Sequence, residues 1–123
     1  MTTWTQHELD KIGAAEEIQL APLRNSTLGK LVTIWVVRVG DDLYVRSVNG
    51  PTSSWFRGAQ RHHQGRIRAG GLERAVTFAE TDSKHTADLD AAYRAKYRRY
   101  QASIVDSIVS PKARSATIRL LPR

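Results

Sequence analysis

Residues 31–39 read Leu-Val-Thr-Ile-Trp-Val-Val-Arg-Val, and no other stretch limits the fold as much. Laid out as a strand, Leu31, Thr33, Trp35, Val37 and Val39 share one face, while Val32, Ile34 and Val36 share the other. A strand apolar on both faces must be covered on both, which puts it inside a sheet or barrel rather than at a solvated edge. Gly40-Asp41-Asp42 supplies a turn and Leu43 to Val48 returns, so the pair is a predicted hairpin.

The elements around this hairpin follow from periodicity and punctuation. Thr5 to Ala15 carries Leu9 and Ile12 at helical spacing. Glu17 to Leu23 alternates Ile18 and Leu20 with polar neighbours until Pro22, the pattern of an edge strand. Residues 24–30 are a polar turn. After Asn49-Gly50-Pro51, one of Thr52, Ser53 or Ser54 caps a short helix with Trp55, Phe56 and Ala59, ended by His63-Gln64-Gly65. Gly65 to Ala69 and Leu72 to Glu80 flank Gly70-Gly71, a pair suited to a tight two-residue turn. Asp88 to Ile104 places Leu89, Tyr93, Tyr97, Tyr100 and Ile104 on one stripe of a long helix, and Ser115 to Leu121 alternates as a closing strand. About six strands in one open sheet cannot bury that helix together with both faces of residues 31–39. The predicted class is therefore α+β, a small β-barrel with flanking helices, as a single domain over residues 1–123. With 41% hydrophobic residues in 123, the chain has enough apolar side chain for one such core.

Composition narrows the chemistry. Cysteine is absent, so no disulfide, thiolate nucleophile or cysteine metal site exists, and a reducing cytoplasm is the expected location. No run approaches the roughly 18 apolar residues of a membrane helix, and Met1 to Lys11 is polar and acidic, unlike an export signal. The four histidines include adjacent His62 and His63, which lack the spacing of a chelating helical pair, so no metal is expected. There is no GxSxG elbow, P-loop or paired-carboxylate motif, which removes the usual grounds for hydrolytic or nucleophilic catalysis.

The net charge of +7 draws anions. Arg57, Arg61, Arg66, Arg68 and Arg74 fall in one segment opposed only by Glu73. Arg57 and Arg61 are one helical turn apart, and Arg66 and Arg68 share a strand face. Such a cluster is a solvated face, a phosphate clamp or a nucleic-acid surface. Arg46 stands alone in the return strand beside Ser47 and needs an anionic partner, either an internal carboxylate or a ligand phosphate. Residues 51–55 offer the N-terminus of a helix, where free N–H groups and hydroxyls favour anions. Trp55, next to Phe56, reads as core or as a plane for stacking on a ring.

The segments IWVVRVGDDLYVRSVNG (34–50), SSWFRGAQRHHQGRIRAGG (53–71) and LDAAYRAKYRRY (89–100), in this order and spacing, resemble the bacterial family of unknown function numbered 2255, from about Ile18 to Leu121. That family is similar to the flavin-binding split-barrel superfamily, which includes pyridoxamine-phosphate oxidases and deazaflavin-dependent nitroreductases. The resemblance implies a split barrel that holds FMN or a deazaflavin, with no cofactor at all where a member has kept only the fold. It places Arg46, Ser47, Asn49 and Gly50 at the cofactor phosphate, with Arg24, Ser26, Gly29 and Lys30 from the preceding turn. Thr33 and Trp35 then line the ring pocket, and Arg57 and Arg61 neutralise a tail or substrate anion. Clefts of that superfamily form between two subunits, so a homodimer is implied. The expected function is that of a flavin- or deazaflavin-binding protein acting as an oxidoreductase on a phosphate-bearing or other small molecule. The rival expectation is a non-catalytic basic module that binds nucleic acid or an acidic partner. Against that rival, the arginine segment has few interleaved aromatic residues to stack on single strands.

Overall fold

The computed structural model describes residues 3–24, 27–81 and 83–123. The stretch predicted as one strand over Leu31–Val39 divides at Trp35. Its first half, β3 (Val32–Ile34), pairs with β1 (Ile18–Arg24) in the register Ile18 with Ile34 and Leu20 with Val32. Its second half, β4 (Val36–Val39), pairs with β5 (Asp42–Arg46), with Val36 opposite Val45. From β1 the hydrogen-bonded path runs through β6 (Gln64–Ala69), β7 (Leu72–Glu80), β8 (Thr117–Pro122), β5 and β4, every step antiparallel. Because β4 and β3 are one piece of chain, the path returns to β1 and closes. The class is α+β and the architecture a split barrel with flanking helices. Eight strands are present among the described residues, against the predicted six or so. The surplus is the division at Trp35 and the two-residue β2 (Thr27–Leu28).

The edge-strand expectation for β1 is corrected by this closure: β6 lies along one side, and β3 then β2 along the other. Pro22 falls where the second side changes partner, so its missing N–H leaves no gap in a ladder, while its carbonyl accepts the Gly29 N–H at 2.8 Å. Opposite Pro22 sits Gly65, where a Cβ would lie 2.4 Å from the Ala21 carbonyl oxygen. Only glycine lets the two strands approach so closely.

Two apolar clusters result. Inside the barrel, Leu20, Val36, Val45, Ile67, Phe78 and Leu120 meet Leu9 and Ile12 of α1 (Gln6–Ala14) and Phe56 and Ala59 of α2 (Ser54–His62). Helix α1 starts on a capping box in which Thr5 and Glu8 each accept the other's backbone N–H. Outside, Val37 and Tyr44 are covered by Leu89 and Tyr93 of α3 (Thr86–Lys96), by Tyr97, and by Val105 and Ile108 of α4 (Ala102–Ile108). Strands β4 and β5 are thus buried on both faces. The predicted single helix over Asp88–Ile104 is two helices, with a turn at Tyr97–Tyr100 between them. No glycine or proline marks that break. Tertiary contacts of Tyr97 override the helical propensity of the segment. A third short helix, α5 (Pro111–Arg114), leads into β8.

Those contacts lie at the strand division. The Trp35 and Tyr97 rings stack with centroids 3.8 Å apart and planes 4° from parallel. The Tyr97 hydroxyl accepts the Val36 N–H at 3.2 Å and lies 2.9 Å from the Glu16 carbonyl oxygen. Lys96 donates to the Val36 carbonyl at 2.6 Å. Burial pushes the Tyr97 pKa upward, which keeps its proton in place, and lowers Lys96 from its ordinary 10.5 to about 8. Between those two values an unfolded chain holds the Lys96 proton and the folded one releases it. Stability is therefore expected to rise with pH across about 8 to 10.5, and denaturant melts should lose that rise in Lys96→Met.

Candidate functional site

The end of β5 carries the residue with the most consequential charge. Arg46 is 1% exposed, and its guanidinium finds an anionic partner within the protein. Nη1 donates to Asp90 Oδ1 at 2.6 Å and to the Ile108 carbonyl at 3.2 Å, and Nε donates to Thr117 Oγ1 at 3.0 Å. Arg114 holds the other Asp90 oxygen at 2.6 Å from the surface side. Burial works against the Asp90 charge, but hydrogen bonds from Arg114 and Arg46 outweigh it and hold the carboxyl below its ordinary 3.8. The Arg46 Nη2 and the Tyr93 hydroxyl are buried without a hydrogen-bond partner among the described residues. The guanidinium carbon lies 5.4 Å from the Tyr93 ring centroid, so a cation–π contact offsets part of that cost. Of the two partners left open for Arg46, the internal carboxylate is the one present. Arg46 therefore carries the internal ion pair while also lining the apolar cavity described below.

Gly50 is likewise a structural residue. Its φ of +84° and the Lys112 side chain, whose Cγ would lie 2.3 Å from an added Cβ, leave room for glycine alone. Ser47 is buried with its hydroxyl 2.7 Å from that of Ser53. Ser53 is the N-cap of α2 but makes no side-chain cap bond, so the first-turn N–H groups of α2 lack that usual acceptor.

Beside this corner lies a cavity of about 410 Å³. Thr33, Trp35, Ser47, Asn49 and Trp55 line it, as does Arg46, and helix α4 closes it with Ile104 and Ile108. Nothing in the periodicity of residues 88–104 marks the α4 residues as part of this wall, because an unbroken helix would run straight past it. A second cavity of about 440 Å³ opens on the far side of Trp55, and Val32 and Trp55 line both. Its walls are basic: Arg24 from the end of β1, Lys30 from the following turn, and Arg57, Arg61 and His62 from α2. Gly58, where an added Cβ would lie 3.1 Å from Pro22 Cγ, lets α2 sit close on the floor. Ser26 lies outside the described residues. Among the described residues no group of three His, Asp or Glu side chains is placed to hold a metal.

Carboxylates are distributed unevenly with respect to these walls. Arg66 and Arg68 pair with Glu73, Arg74 with Glu8, and Arg38 with Asp10. Arg24, Lys30, Arg57 and Arg61 have no carboxylate partner among the described residues.

Residues 8–120 match the sequence profile of a family described as "Uncharacterized protein conserved in bacteria (DUF2255)". The chain belongs to this family. No curated protein sequence matches this DUF2255 member. Several solved structures share its fold. One titled "F420 Reductase" aligns with a TM-score of 0.60 at 10% identity, covering 98% of this chain and 94% of the other. A FAD-binding protein from Mesorhizobium loti gives 0.56 at 14%, covering 98% and 89%. A putative 5-nitroimidazole antibiotic resistance protein from Bacteroides thetaiotaomicron gives 0.56 at 14%, covering 99% and 81%. At these identities the likeness is one of fold, the split barrel found in flavin-binding proteins. No helix among the described residues is long and apolar enough to cross a membrane.

The buried pair makes a clear demand. Asp90→Ala leaves the Arg46 guanidinium without its anion and is expected to cost about 3–5 kcal/mol in urea unfolding, whereas Arg114→Ala, at the exposed end, should cost under about 1 kcal/mol. Because the folded Asp90 pKa is depressed, the pair's contribution is complete above pH 3.8 and is lost as the pH falls below it.

Proposed function

We propose that this DUF2255 member binds a flavin-type cofactor, FMN or a deazaflavin, with the ring in the cavity beside Trp35 and the phosphate-bearing arm in the basic cavity beyond Trp55. The observation that carries the reading is the shared wall. Val32 and Trp55 border both a mainly apolar space and one lined by four cations without carboxylate partners among the described residues. A ligand with a planar apolar head and an anionic arm matches that division. Arginine forks at Arg57 and Arg61, one helical turn apart, suit phosphate oxygens, and Arg24 and Lys30 line the same cavity. Thr33, Ser47 and Asn49 supply the few polar groups that orient a ring.

When bound, such a cofactor supplies hydride or electron transfer, and the protein's part is to position it and exclude water. An oxidoreductase role on a small molecule is consistent with the missing acid/base motif. Leu31, Val48 and Ile104 are 44–45% exposed, and Val48 and Ile104 line the apolar cavity. A second copy of the chain seated there would cover them, which is the reading we give to the expected homodimer. Light scattering of the purified chain tests it. The nucleic-acid alternative is weakened by the pairing of Arg66, Arg68 and Arg74 with acidic side chains, which removes a continuous track for phosphates.

Titration with FMN and with riboflavin, followed by flavin fluorescence, tests the assignment. FMN should bind more tightly than riboflavin. Arg57→Ala and Arg61→Ala should each weaken FMN about tenfold through loss of one charge-assisted contact and leave riboflavin unchanged. Equal affinity for FMN and riboflavin would remove the phosphate from the basic cavity.

A further inference from the structure

The aromatic residues around the strand division have a use beyond packing. Trp35 lines the apolar cavity, and its ring lies against two tyrosines: Tyr97 at 3.8 Å and Tyr100 at 5.0 Å between centroids. Tyr93 follows behind Tyr97 at 6.2 Å. Such contacts let an electron pass between rings. What separates the three tyrosines is the fate of the phenolic proton, which a tyrosine must release when it is oxidised to a neutral radical.

Tyr93 has no hydrogen-bond partner for its hydroxyl among the described residues. Tyr97 faces the carbonyl oxygens of Glu16 and Val36, which are poor bases. Of the three, Tyr100 donates its hydroxyl to a carboxylate, Oε1 of Glu16. The second oxygen of Glu16 is held by Arg99, whose guanidinium also lies 5.5 Å from the Tyr100 ring centroid. Tyr100 is half-buried and Glu16 exposed, so the path ends at solvent.

We infer that Trp35 and Tyr100 form a one-electron relay from the apolar cavity to the protein surface, with Glu16 as the proton acceptor. A strong one-electron oxidant in the cavity, of the class of a photoexcited flavin, takes one electron from the Trp35 indole and is itself reduced by one electron. Tyr100 returns an electron to Trp35 and passes its phenolic proton to Glu16, leaving a neutral phenoxyl radical, a neutral Trp35 and a protonated Glu16. A one-electron donor in solution, such as ascorbate, then reduces the phenoxyl radical while Glu16 returns the proton. The entry point rests on the ring-pocket reading above; the path from Trp35 onward does not.

Pulse radiolysis of the cofactor-free protein with azide radicals, which oxidise tryptophan, tests the path directly. The expected result is an indolyl radical that decays at a rate independent of protein concentration while a phenoxyl radical appears. That phase should vanish in Tyr100→Phe, slow in Glu16→Gln and persist in Tyr93→Phe. Its survival in Tyr100→Phe overturns the relay. The Tyr100 and Glu16 variants alter half-exposed or exposed groups, so these measurements decide the path even where Trp35→Phe fails to fold. The entry point is read from the fluorescence lifetime of saturating FMN, which should be short in the wild type and long in Trp35→Phe. An unchanged lifetime overturns the cavity end of the relay. Absence of FMN binding overturns the ring-pocket reading and with it that end, while the radical measurements still decide the path.

Discussion

The closure of the barrel depends on one residue pair of a single strand. Between Trp35 and Val36 the chain leaves β1 and joins β5, and a strand that changes partner exposes backbone groups that neither ladder takes. Here two neighbouring side chains at the end of α3 take them. The Tyr97 hydroxyl accepts the Val36 N–H, and Lys96 donates to the Val36 carbonyl. That requirement shapes the helical layer as well. Tyr97 reaches Val36 from the C-terminal end of α3, and the turn that follows sends α4 back across the mouth of the apolar cavity. Barrel closure, the helix break and the cavity wall thus share one cause.

Arg46 ties the same layers together from the same end of β5, next to Val45, the partner of Val36. It joins β8 through Thr117, α3 through Asp90 and α4 through Ile108. A buried ion pair of this kind is weak evidence for net stability, since its desolvation cost offsets much of the attraction. Its directionality is firmer: three donor bonds to three elements fix where α3 and α4 sit on the outer face of the barrel. The Arg46 charge is met by Asp90, whereas Arg24 of β1 and Arg57 and Arg61 of α2 have no carboxylate partner among the described residues.

Much of this was legible in the sequence, and the reasons differ from residue to residue. The apolar run at 31–39 showed that both faces must be covered, and they are, but alternation cannot register a change of partner halfway along. The stripe of Leu89, Tyr93 and Tyr97 pointed correctly to packing on the barrel. It did not reveal the break after Lys96, because the hydroxyl of Tyr97 acts on a backbone 61 positions away in sequence. Pro22 suggested an edge strand. The structure shows that a proline fits equally well where two partners meet. Of the residues that the family resemblance singled out, Thr33, Trp35, Ser47, Asn49 and Trp55 surround one cavity and Arg57 and Arg61 the next. The isolation of Arg46 in its strand signalled the need for an anionic partner, but that partner, Asp90, lies 44 positions away and carries no local signal.

Which arginines are paired follows from where the acidic residues fall. Among the described residues, the carboxylates that pair with an arginine lie on α1, on β7, in the turn after β4, on α3 and α4, or at Glu16. None of these elements borders the basic cavity, whose walls come from β1, the turn after it, β3 and α2. The α2 helix Ser54–His62 contains no acidic residue at all, and its N-terminal dipole adds further positive potential. A surface built only to stay soluble intersperses both signs, as the β6–β7 hairpin does with Glu73 between Arg66 and Arg68. Here four cations stand together without that interspersion, around a cavity that shares a tryptophan wall with an apolar one, and their combined field is positive. Arginine thus has two settings in this fold: Arg38, Arg46, Arg74 and Arg114 are tied to carboxylates of the barrel and its outer helices, whereas Arg24, Arg57 and Arg61 line one cavity without such a partner among the described residues.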